Sequence, residues 1–151
     1  MRSNRIVIGL LVAVVLTLSI VVFAQVKRPY HSGSAWSIGY IRMKPGMETM
    51  YLNYVAGAWK TEQEALKKDG QILSYKVIRT EDHSATDFNL MLMTEYKNHA
   101  TMEKNEEKAD ALLQKVIGDD QKQIQGYKDR LEIRDIIANR TGTEIVLEPR
   151  P

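Results

Sequence analysis

The stretch Asp87-Phe88-Asn89-Leu90-Met91-Leu92-Met93-Thr94-Glu95-Tyr96 constrains this chain more than any other. It is a short, nearly unbroken apolar run between a polar loop and a helix start. Side chains alternate along a strand, so Phe88, Leu90, Leu92 and Tyr96 fall on one side and Met91 and Met93 on the other, and both faces need cover. A single small domain has helices for only one face. A second copy of the chain is therefore expected on the other, burying roughly 800 Å² per subunit if the interface is of standard size.

The rest of the chain supplies the partners of that strand. Trp36–Met43 reads as a first strand, rich in aromatic and β-branched residues, stopped by the turn Lys44-Pro45-Gly46. Met47, Met50, Tyr51, Tyr54, Val55, Ala58, Ala65 and Leu66 then recur at three- and four-residue steps, the stripe of a long helix. Lys67 and Lys68 suit its last turn and Gly70 its left-handed stop. Ile72–Thr80 reads as a second strand, followed by a polar hairpin loop, Glu81–Thr86, and then the organising strand. Asn98 is placed to cap a second helix with a stripe of Met102, Ala109, Leu112, Leu113 and Val116, ended by Gly118. Asp119 and Asp120 begin a short helical turn reaching about Tyr127. Leu131–Ile137 reads as a fourth strand, and Thr141-Gly142-Thr143 as a turn into a separate last strand, Glu144–Leu147. Two βαβ-like halves with right-handed crossovers predict an α+β, ferredoxin-like βαββαβ antiparallel sheet with both helices on one face.

Residues 1–24 precede that domain. Arg2 and Arg5 make a basic start, Ile6–Phe23 is apolar apart from Gly9, Thr17 and Ser19, and Ala24 is the kind of small residue a signal peptidase reads. The expectation is a signal peptide over 1–24, a linker over 25–35 and a folded domain over 36–148, in an exported protein, periplasmic or secreted. An uncleaved signal anchor is the one expected membrane contact, since the run is just long enough to span a bilayer. Cysteine is absent, which removes lipid attachment and disulfides. Of 21 basic and 19 acidic residues, Arg2 and Arg5 lie in the signal segment with no acid, leaving the remainder neutral. A neutral domain has no electrostatic footprint for nucleic acid, and that class is set aside.

The first strand followed by Lys44-Pro45-Gly46-Met47-Glu48, then Gly70-Gln71-Ile72-Leu73-Ser74-Tyr75, then Leu90–Lys97 leading into Ala100, resembles the dimeric α/β-barrel superfamily. That superfamily includes antibiotic-biosynthesis-monooxygenase-like and NIPSNAP-like domains. The likeness covers Trp36 to Ile137. A signal peptide together with Leu-Met-Leu-Met-Thr-Glu-Tyr-Lys-Asn also looks like a family of exported bacterial proteins of unassigned role. The resemblance implies two sheets paired as a dimeric α/β barrel and, in monooxygenase-like relatives, a cavity between sheet and helices for a polycyclic or aromatic substrate. Haem-degrading relatives place a histidine a helical turn or more into the second helix. Glu103-Lys104-Asn105 stands there instead, with His99 earlier, which counts against haem.

Trp36, Tyr40, Tyr51, Tyr54, Trp59 and Tyr75 concentrate aromatic surface around the first strand and helix. They are candidate walls of a ligand cavity, or simply core packing. Arg134, with Glu132 and Glu95, is a candidate for binding an acidic ligand group, or forms a cross-strand or intersubunit ion pair. His99, at a helix start, is the candidate for proton transfer, with an exposed first-turn histidine as the plain alternative. His83 with Asp82 and Asp87 matches no metal-ligand spacing, and no metal is assigned. No triad order, phosphate loop or dinucleotide fingerprint is present, and no cofactor is expected. These features predict an exported homodimer that pairs through its sheet face and either binds an apolar or aromatic small molecule or serves a structural role. The alternatives are a cofactor-independent oxygenase and an assembly protein linked by its C-terminal strand.

Overall fold

A computed structural model describes residues 28–81, 84 and 86–149. Its strands are β1 (Tyr30–Met43), β2 (Ser74–Arg79), β3 (Leu90–Tyr96) and β4 (Arg134–Leu147). They form one sheet in the order β2-β3-β1-β4, every adjacent pair antiparallel. Between β1 and β2 run α1 (Glu48–Tyr54), a π-helical turn (Val55–Trp59) and α2 (Lys60–Lys68) without interruption. Between β3 and β4 lie α3 (His99–Lys104), α4 (Glu106–Val116) and α5 (Asp120–Leu131). The fold is ferredoxin-like.

Local chemistry sets the boundaries. Gly46, at φ +78°, closes the turn after β1, and Met47 N–H reaches the Lys44 carbonyl at 2.9 Å. At the end of α2, Gly70 takes φ +74°, its N–H donates to Lys67 O, and Gln71 N–H donates to Leu66 O, a Schellman stop. Asn98 Oδ1 accepts from Thr101 N–H at 2.8 Å, and Asp119 Oδ1 from Lys122 N–H at 3.0 Å, so both predicted caps form.

The organising strand is interior, between β1 and β2. Leu90 is 1% exposed and joins Ile41, Met43, Tyr51, Val55 and Trp59 in the core under the first helix, while Met91 and Met93 remain half-exposed on the opposite face. Phe88, expected beside Leu90, instead meets Tyr40 edge-on at 4.7 Å, because the chain enters strand geometry only at Leu90. Just before β3, Asn89 ties the sheet together: Oδ1 accepts from Met43 N–H at 2.8 Å and Nδ2 donates to Met43 O at 3.3 Å.

Several sequence expectations are corrected. β1 starts at Tyr30, six residues before Trp36, so Tyr30–Ala35 is strand and not linker. Thr141-Gly142-Thr143 is no turn: it pairs with Ser37, Trp36 and Ala35, and Ile145–Leu147 continues along Ser32–Tyr30 of the same chain. The longer β1 offers this segment a hydrogen-bonded ladder, which outweighs a local turn preference. The Glu144–Leu147 segment is thus the end of β4, not a separate linking strand. Met47 and Met50 are 36% and 57% exposed instead of lying on the buried stripe. The expected membrane contact through an uncleaved anchor finds no support: among the described residues no helix is long and apolar enough to cross a membrane, and the run read as that anchor lies outside them. Met1–Ala24 and His83 lie outside the described residues.

Asn89→Ala leaves the buried Met43 N–H without its acceptor. It is expected to lower stability by about 1–3 kcal/mol, seen as a lower urea midpoint at unchanged slope.

Candidate functional site

Two irregularities, each one residue in size, shape a cavity between the sheet and the first helix. The first is the π turn. In an α-helix each four-residue step overshoots a full turn by about 40°, so Tyr51, Val55, Trp59 and Gln63 would wind away from one face. The wider π turn cancels that drift, and all four are buried against the sheet. Gln63 Oε1 there accepts from Thr94 Oγ1 at 2.9 Å. The second is a bulge in β4. Tyr40 pairs with Ala138 but Ile41 with Ile136, which leaves Ile137 out of the ladder. Beyond the bulge the alternation is inverted, so Ile136 and Arg134 face the helix while Asp135 faces away. Pairing Ile137 normally would have turned Asp135 inward and Arg134 out.

The resulting cavity holds about 230 Å³. Tyr51, Tyr54 and Trp59 line it from the helix, and Gly39, Thr94 and Arg134 from the sheet. Arg134 is 6% exposed, and its Nε is buried without a hydrogen-bond partner. Its guanidinium lies 5.4 Å from the Tyr51 ring and 5.7 Å from that of Tyr127. Among the described residues no carboxylate lies within ion-pair distance of it. Asp135, its neighbour in sequence, is on the opposite face, bonded to Arg42 at 2.8 Å. The expected cluster of Arg134 with Glu132 and Glu95 therefore does not form. Glu95 instead accepts from Ser74 on the outer face. Burial pushes the Tyr51 phenol up to about 12 against the pull of Arg134, so it stays a neutral donor.

Of the candidates read from sequence, Tyr51, Tyr54, Trp59 and Arg134 meet in this cavity. Tyr75 backs it, packing edge-on to Trp59 at 5.4 Å while its hydroxyl donates to Glu64. Trp36 and Tyr40 belong to the opposite face, where Lys76 Nζ sits 5.2 Å from the Trp36 ring. His99 is exposed, with Nε2 3.0 Å from Thr143 Oγ1, and is not among the residues lining the cavity. Sequence reading missed Gln63 and Thr94, whose polar side chains gave no apolar-periodicity signal. It also missed Glu62 and Arg130, which sit in a neighbouring groove beyond Tyr54. Among the described residues no group of three or more His, Asp or Glu is placed to hold a metal ion.

No protein-family model matches the chain, and no curated protein matches its sequence. Several solved structures are similar, three of them as follows. HapK from Hahella chejuensis has 9% identity and a TM-score of 0.47, covering 73% of this chain and 91% of its own. Two dimeric ferredoxin-like proteins from an uncultured marine organism have 8% and 15% identity and TM-scores of 0.49 and 0.47. Each covers 80% of this chain, and 93% and 100% of its own length respectively. The strand order, and not these likenesses, assigns the fold.

Glu62 is half-buried, and desolvation raises its pKa above the ordinary 4.5 despite the nearby Arg130 charge. A carboxyl whose pKa rises on folding disfavours the folded state once ionised. That penalty is absent below the unfolded pKa and complete above the folded one. Glu62→Gln is therefore expected to raise the thermal midpoint at neutral pH, the gain vanishing as the pH falls below 4.5. Thermal unfolding across that range checks it.

Proposed function

We propose that this protein is an exported small-ligand-binding domain whose inner cavity takes a compact aromatic acid. The observation that carries the reading is Arg134, a buried guanidinium with an unpartnered Nε in a cavity walled by Tyr51, Tyr54 and Trp59. A buried charge without a counter-charge is costly, and a ligand carboxylate removes that cost through charge-assisted hydrogen bonds. The rings supply flat apolar faces for the ligand body. At about 230 Å³ the cavity suits a single ring and is small for a polycyclic molecule.

The same cavity keeps a cofactor-independent oxygenase as a second reading, with Tyr51 as a neutral proton donor to a substrate oxyanion. Oxygen consumption with a single-ring phenolic acid separates the two, since a binding domain consumes none.

In this reading the protein works as a homodimer paired through the outer sheet face, as a dimeric α/β barrel. Ile38, Tyr40, Met91 and Met93 pair across β1 and β3 on that face, with Ile78 of β2 beside them at 39% exposure. This is an apolar surface that one chain leaves half-open to water.

Benzoate is expected to bind by calorimetry, with affinity reduced about ten- to a hundredfold in Arg134→Met. Removing an unpaired buried charge should also raise that variant's thermal midpoint. Gly39→Val fills the cavity without touching Arg134 and is expected to abolish binding as well. Unchanged benzoate affinity in both variants would overturn the reading. For the dimer, sedimentation of residues 25–151 at micromolar concentration is expected to show a two-chain species, and Met93→Lys a single chain.

A further inference from the structure

A separate groove runs between the first helix and α5, with a volume of about 910 Å³. Tyr54 lines both it and the inner cavity, and Tyr127, whose ring meets the Arg134 guanidinium, lines the groove as well. Its apolar walls are Ala58, Leu113, Ile117, Ile124 and Leu131. Ile124 is 56% exposed and Leu131 40%, so α5 holds large aliphatic side chains against an unfilled channel instead of burying them. Such a surface is costly in water and rewards an apolar occupant.

The groove is also lined by Arg130. Its guanidinium stacks 4.4 Å from the Tyr54 ring, and its Nε is buried with no hydrogen-bond partner. Among the described residues no acid lies within ion-pair distance of it. Lys122 and Lys128 also line the groove, against Glu62 and Asp129, an excess of positive charge. Asp129 is engaged by Gln125 Nε2 at 2.7 Å, and Glu62, whose carboxylate feels the Arg130 charge, stays beyond ion-pair distance of it. An apolar-walled groove carrying one partly stripped cation matches a molecule with an aliphatic body and a single acidic head. It does not match the flat acid proposed for the inner cavity.

We propose that this groove is a second binding site, for a fatty acid whose acyl chain lies between the first helix and α5 and whose carboxylate is held by Arg130. Aromatic acids of one ring would leave most of the channel empty. A neutral lipid would leave the Arg130 Nε without an acceptor.

The test is calorimetric titration of the protein with octanoate, decanoate and laurate below their micellar concentrations. Affinity is expected to rise about fourfold per added methylene, at one molecule per chain. Arg130→Gln is expected to weaken laurate about tenfold or more, and Ala58→Trp, which fills the channel from the helix side, to abolish binding. Benzoate added in excess is expected not to displace laurate. Affinity that does not depend on chain length, or that is equal in wild type and both variants, would overturn the proposal. So would displacement of laurate by benzoate, which would mean that a single cavity serves both.

Discussion

The inner cavity is organised around a positive charge that, among the described residues, has no negative charge within ion-pair distance. Arg134 lies between the rings of Tyr51 and Tyr127, whose π faces offer a partial substitute for solvent. That substitute is incomplete, because ring faces cannot accept all the hydrogen bonds a guanidinium donates, and Nε is left without one. Cores optimised for stability alone place an aliphatic side chain at such a position. An uncompensated cation beside free volume is the feature on which the proposed ligand site rests.

Much of the fold was legible in the sequence because its signals were local or strongly periodic. The Pro45-Gly46 turn, the Gly70 stop and the Asn98 and Asp119 caps each rest on one or two residues whose backbone chemistry admits few alternatives. The apolar run of β3 identified the interior strand. Reading failed where a segment's fate was set by a distant partner. Tyr30–Ala35 looks like a linker and Thr141–Thr143 like a turn until β1 and β4 are paired, and neither segment carries the apolar alternation that marks a half-buried strand.

The site was legible in part, for a related reason. Tyr51, Tyr54 and Trp59 could be grouped because aromatic residues at helical spacing are conspicuous. Arg134 could be singled out but not aimed, since its facing depends on the Ile137 bulge, which alternation alone does not reveal. Gln63 joins the buried face only because the helix widens for one turn, whereas a uniform 3.6-residue period puts it elsewhere. Both failures come from a single residue's departure from regular geometry, and both departures border the same chamber. Irregular backbone concentrated in this way is common around functional sites.

The bulge carries a further meaning for how such a chamber could change over evolutionary time. Arg134 and Asp135 are adjacent in sequence and opposite in sign, and which of them looks inward is decided by strand alignment. The electrical polarity of the chamber is therefore written in the phase of a strand, not in its composition. One slip along β4 would exchange the inward cation for an inward anion while retaining every amino acid the chain already has.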